Sequence, residues 1–133
     1  MKEKDELIAE WLHKADHDLG MAELAIDHKP EYTDSICFHC QQAAEKYLKA
    51  YLVFLDAAFE KKHNLIYLLD LINEKEKVGD ELYEKLEKLE DYAVEVRYPD
   101  EMVEPTFEEA KESYEIAEQV KGFILQKIHF ANG

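Results

Sequence analysis

Four residues near the end of the first third of the chain carry groups suited to gripping an anion. His39, Gln42, Lys46 and Lys49 are three, four and three positions apart. On a helix, at about 100° per residue, all four share one face. An imidazole, an amide and two ammoniums there could hold a phosphate and the edge of a base. The same pattern equally describes a solvated face turned away from a core arc of Cys40, Tyr47 and Tyr51, which is the commoner use of such residues.

Three further positions extend that chemistry. Arg97 is the single arginine of the chain and is followed by Tyr98 and Pro99. Its guanidinium suits a bidentate grip on phosphate or carboxylate, although a cation at a helix C-terminus also meets the helix dipole. His63 follows Lys61 and Lys62; it either starts a helix or joins a basic pocket with Lys46 and Arg97. Asp18 falls on or beside an apolar stripe, where a carboxylate needs a partner. Lys14, one turn earlier, and Arg97 are the two candidates.

Other spacings promise less. Cys37 and Cys40 form C-x-x-C with no second pair, whereas a structural zinc site needs about four ligands. They read as two small buried side chains rather than a disulfide or a metal site. Glu-x-x-His occurs at Glu10–His13 and Glu60–His63. A di-metal bundle needs both copies on long facing helices, plus further glutamates. The second copy falls past the end of a helix, so chance explains the pair in a glutamate-rich chain. Glycine-rich phosphate loops, H-E-x-x-H and G-x-S-x-G are absent. No cofactor, no metal and no catalytic residue is expected.

The elements that must position these groups are helical. The chain of 133 residues fits one domain spanning 1–133. Four glycines and three prolines leave little for a turn-rich β architecture. Apolar stripes at helical spacing mark five segments, near 4–27, 33–57, 64–75, 80–98 and 106–128. Thr33, Asp34 or Ser35 would cap the second. Pro99 limits the fourth. Thr106-Phe107-Glu108-Glu109 has the form of a capping box and opens the fifth. Short links imply antiparallel neighbours, hence an all-α, up-and-down four-helix bundle with an additional short helix.

Charge narrows the partners. Thirty-one acids against 16 bases give a net charge of −15. Such a surface disfavours extended nucleic acid, which usually meets a basic patch. No apolar run reaches the roughly 18 residues of a membrane span, and the N-terminus does not read as a signal peptide. The expected location is the cytoplasm.

The stretch from Phe38 to Ala50, FHCQQAAEKYLKA, resembles the signature helix of HEPN-domain proteins. Trp11 with Ala15, Asp18, Leu19 and Ala22 resembles the family's first helix. His63-Asn64-Leu65 with Leu68 resembles its H-x-L-x-x-L segment, and Arg97-Tyr98-Pro99 its R-Y-P segment. The resemblance implies a helical bundle pairing as a homodimer. It also implies the company of a small MNT-type nucleotidyltransferase, for which the fold serves as a substrate-binding subunit. Many members are instead metal-independent ribonucleases of toxin–antitoxin systems, carrying Arg and then His four to six residues later. Here Arg97 is followed by Tyr98, Pro99, Asp100, Glu101, Met102, Val103 and Glu104, and the next histidine is His129. Glu101 is a poor general acid–base at neutral pH.

The expected function is a non-catalytic module that binds a nucleotide-like ligand, a nucleotidyltransferase or both, with a toxin–antitoxin-like pair as one setting the resemblance implies. The ligand-binding set would be Asp18, His39, Gln42, Lys46, Lys49, His63, Arg97 and Tyr98. The alternatives are an endoribonuclease with a composite dimeric site, in which Arg97 works with a histidine such as His63, and a plain dimeric scaffold.

Overall fold

The computed structural model describes residues 3–93 and 104–128, and five helices are present among them. No strand occurs among the described residues. Helix α1 is Lys4–His28, α2 Thr33–Phe54, α3 Leu65–Lys75, α4 Asp80–Tyr92 and α5 Phe107–Lys127.

The α1 stripe buries Ile8, Ala15, Leu19 and Ala22, with Trp11, Leu12 and Ile26 half-buried beside them. The helix closes where Lys29 N–H donates to the Ala25 carbonyl, one residue before Pro30. The next helix starts differently from the expectation: Tyr32 is the N-cap and makes no side-chain cap. Thr33 is instead buried inside the first turn, and the Asp34 carboxylate accepts from Ser35 N–H. Helix α2 ends at Phe54, three residues early, because Asp56 takes a left-handed φ of 57°. Ala57 N–H then folds back onto the Leu52 carbonyl, a closure of the Schellman kind.

The short helix α3 is capped by Asn64, whose side chain accepts from Tyr67 N–H at 2.9 Å. Helix α4 stops at Tyr92, and Ala93 N–H is shared between the Leu89 and Glu90 carbonyls. The expected continuation toward Tyr98 passes outside the described residues. The capping box of α5 is complete: Thr106 accepts from Glu109 N–H, and the Glu109 side chain accepts from Thr106 N–H. Phe107 is 37% exposed; as the first residue of α5 it precedes the turns that meet the bundle. The buried α5 face is Ala110, Ser113, Ile116, Ala117, Val120 and Ile124.

Helix α2 holds the bundle together, packing against α1, α3, α4 and α5. It is walled on nearly all sides, by Ile36, Ala43, Tyr47 and Ala50 along some directions and Cys37, Ala44, Leu48 and Leu52 along others. Each fully buried Leu or Ile contributes about 1.5–3 kcal/mol, and Leu65, Leu68, Leu69 and Ile72 of α3 with Leu86 and Leu89 of α4 complete the core. A helix surrounded this way must also bury whatever polar residues it carries.

Candidate functional site

Two carboxylates organise the polar residues of α2. Asp18 reaches across from α1. Its Oδ1 lies 3.0 Å from Nδ1 of His39, and its Oδ2 accepts from Lys46 Nζ. The Asp18 side chain is 14% exposed, so the carboxylate forms its contacts largely out of water. Among the described residues the partner of Asp18 is not Lys14 but a pair of residues on the neighbouring helix; the other candidate, Arg97, lies outside the described residues. His39 and Lys46 stand seven positions apart on α2 and converge on one carboxylate.

The second centre is Glu45, at 2% exposure. Lys49 donates to its Oε2 at 3.0 Å, along the i, i+4 direction of the same helix. His63 sets Nδ1 3.1 Å from the same oxygen and 3.3 Å from Oε1. The Lys49 side chain, 7% exposed, lies over aromatic rings as well: Nζ is 5.2 Å from the Trp11 centroid and 5.9 Å from that of Phe59. The two rings meet edge to face at 6.4 Å. An ammonium between a carboxylate and two π faces is compensated three ways. The expectation of a solvated face carrying His39, Gln42, Lys46 and Lys49 is therefore corrected, because α1 and the segment after α2 close over that side.

Amides connect the carboxylate centres to the backbone. Gln41, at 9% exposure, donates to the His63 carbonyl at 3.2 Å and accepts from Gln42 Nε2 at 2.9 Å. His63 is thereby fixed through both its ring and its carbonyl, while its side chain stays 75% exposed. Its ring belongs to the Glu45 centre, whereas Lys46 belongs to the Asp18 centre. Just beyond, Glu90 of α4 accepts from Leu65 N–H and anchors the first turn of α3. Arg97 and Tyr98 lie outside the described residues.

The sequence reading missed Glu45, Gln41 and the aromatic pair. A usable signal existed. Glu45 is four residues before Lys49 on a helix whose apolar residues run almost all the way round, and such a helix is buried. A third polar centre joins Tyr47, whose hydroxyl donates to Asp16, to Lys121 of α5, 3.0 Å from the same carboxylate. Burial, with the hydrogen bond to Asp16, pushes the Tyr47 phenol far above its ordinary range. Both cysteines are buried and neither forms a disulfide. Burial likewise pushes the Cys40 thiol far up, and Ser113 Oγ approaches Cys37 Sγ at 3.4 Å. The second Glu-x-x-His pair lies after α2, with Glu60 held by Lys62 at 3.1 Å. Among the described residues no group of three or more His, Cys, Asp or Glu side chains is arranged to hold a metal. No described helix is long and apolar enough to cross a membrane.

Chemically, each carboxylate orients an imidazole through Nδ1 and neutralises an ammonium. Comparison with known proteins bears on this arrangement. The family model of the HEPN domain matches residues 8–128. Among solved structures, the fold is similar to the crystal structure of an archaeal HEPN homologue. The TM-score is 0.74 at 24% sequence identity, over 97% of this chain and 100% of that one. At that identity the likeness speaks for the fold alone. No curated protein matches.

Proposed function

The chain belongs to the HEPN-domain family, and on that premise we propose that it is a non-catalytic module engaging a small nucleotidyltransferase together with a nucleotide-like ligand, as one half of a toxin–antitoxin-like pair. The observation that supports this reading best is the internal pairing of the basic side chains on and beside α2. Asp18 holds His39 and Lys46, and Glu45 holds Lys49 and His63. A long polyanion would have to compete with both carboxylates and with a chain of net charge −15. A folded partner or a compact ligand needs only to meet a preset polar surface. On that surface His63 and Gln42 offer hydrogen-bonding groups, and Arg97 and Tyr98 would add a guanidinium fork and a phenol.

Native purification read by mass spectrometry, followed by calorimetric titration with nucleoside mono-, di- and triphosphates, tests the proposal. A nucleotidyltransferase should co-purify, and Arg97→Lys should weaken nucleotide binding nearly as much as Arg97→Ala, since the fork matters more than the charge. Recovery of the protein as a homodimer alone, with no nucleotide bound, would overturn this proposal.

One observation favours a second reading, a metal-independent endoribonuclease. The His63 imidazole is oriented by Glu45 through Nδ1 and is largely open to solvent. A carboxylate-oriented imidazole with its other nitrogen free is suited to general acid–base chemistry. Cleavage of single-stranded RNA without metal, lost in both His63→Ala and Arg97→Ala, would replace the first proposal with this one.

A further inference from the structure

Helix α1 carries a pair of metal-ligating side chains that the site above does not use. His13 and His17 are one turn apart, both exposed, with ring centroids 4.4 Å apart. Two imidazoles at i, i+4 on one helical face form the helical half of a transition-metal chelate, the spacing found in zinc-binding H-E-x-x-H helices. Rings already in contact need only rotamer adjustment to bring one nitrogen each to about 2.0–2.1 Å from an ion. Imidazole suits zinc, copper and nickel better than calcium or magnesium.

A closed zinc site takes four donors. Among the described residues no third His, Cys, Asp or Glu joins this pair in a metal-binding arrangement. One chain therefore offers half a site. The surface around it indicates the source of the other half. Met21 and Leu24 continue the histidine stripe at i+4 and i+7 from His17, and they are 50% and 55% exposed. Leu7, at the other end of α1, is 37% exposed. These are three of the six large apolar side chains exposed among the described residues. In an antiparallel crossing of two α1 helices centred between His13 and His17, Met21 and Leu24 of one copy reach the turn that bears Leu7 of the other. Gly20 lies beside the stripe with open space where a Cβ would stand, so the backbone there can be approached closely.

We propose that His13 and His17 form half of a four-imidazole zinc-class site completed by the same pair from a second copy of this chain, with Leu7, Met21 and Leu24 as its apolar flanks. A net charge of −15 per chain opposes self-association, and a dication held at the crossing offsets part of that repulsion. The site is independent of the α2 polar centres, so it stands whether or not the protein binds a nucleotide.

The experiment uses the full chain, stripped with chelator and titrated with Zn2+. Calorimetry reads the stoichiometry and light scattering reads the mass. The expected result is one zinc per two chains and a doubling of mass relative to the stripped protein, whatever the oligomeric state of that protein. His13→Ala and His17→Ala should each weaken zinc binding by more than about tenfold, since even the loss of an outer partner of a metal site has an effect of that size. Leu24→Glu should preserve the histidines but suppress the mass change. Co2+ in place of zinc should give the intense visible absorption of a tetrahedral site. Zinc binding unchanged in both histidine variants would overturn the site. One zinc per chain with no change of mass would overturn the shared geometry. Circular dichroism of each variant establishes that the fold is retained.

Discussion

Replacing Glu45 by glutamine removes one charge from the least accessible ion pair described here while nearly conserving volume. The wild-type carboxylate is 2% exposed and serves both Lys49 and His63. With the charge gone, the Lys49 ammonium stays at 7% exposure with only an amide oxygen and two aromatic faces for company. Breaking a buried pair by removing one partner destabilises by about 3–5 kcal/mol. The rings over Lys49 compensate in part, by about 0.5–2 kcal/mol, so the lower end, about 3 kcal/mol, is expected. Unfolding entropy near 2.1 cal/mol/K per residue, over a chain of this length, makes each kcal/mol worth roughly 3.6 °C in Tm. Glu45→Gln should therefore melt roughly 11 °C below wild type. Urea unfolding followed by circular dichroism at pH 7 gives the free energy directly. The control is the double variant Glu45→Gln/Lys49→Met, which removes the stranded ammonium. Replacing a buried pair with apolar groups of similar size is often neutral, so the double variant should recover at least half of the loss. A single variant within about 1 kcal/mol of wild type, or a double variant less stable than the single, would refute the view that Glu45 compensates Lys49.

Thr106→Ala dismantles the capping box of α5 and should lower stability by about 1 kcal/mol, readable in the same urea titration. Alkali should act through tyrosines. The phenol of Tyr83 is pushed up to about 12 by burial and by its hydrogen bond to Asp70; that of Tyr92 reaches about 12 through its hydrogen bond to Glu112 and burial. A raised folded-state value favours the neutral phenol, so this stability is full below about 10 and fades as pH climbs toward about 12. Wild type should lose that part of its stability over this window, and Tyr83→Phe should lose less, as read by unfolding at a series of alkaline pH values. Cys37 and Cys40, both buried, should react with a thiol reagent slowly in the native protein and at once in denaturant. Fast stoichiometric labelling of the native protein would contradict their burial.

The parts legible in the sequence were those governed by neighbours along the chain. The Thr106–Glu109 box needs only a three-residue spacing. The α1 stripe needs only the helical period. What escaped were contacts that depend on how one helix is rotated against another. Asp18 was recognised as needing a partner, yet nothing in α1 reveals that His39 and Lys46 face it across a helix pair. By phase against the Cys40–Tyr47–Tyr51 arc Lys49 reads as a surface lysine, and phase says nothing when a helix is covered on several arcs at once. The closure by Trp11 and Phe59 depends on the course of the segment after α2, which Asp56 bends with its left-handed φ. The early end of α2 had the same local cause and no marker beyond an aspartate, a residue that tolerates that conformation.

Because α2 touches every other helix of the bundle, its backbone has no route to solvent that leaves the rest of the molecule standing. Local opening samples segments with few buried contacts, such as the exposed start of α4 at Asp80 and Glu81. The amides from Ala43 to Leu52 can exchange with deuterium only when the domain comes apart as a whole, so their protection measures the global free energy of the protein. A ligand or partner that merely touches an outer helix slows exchange locally, whereas one that stabilises the whole fold slows it along all of α2. The central helix thus serves as a built-in gauge of which kind of binding has occurred.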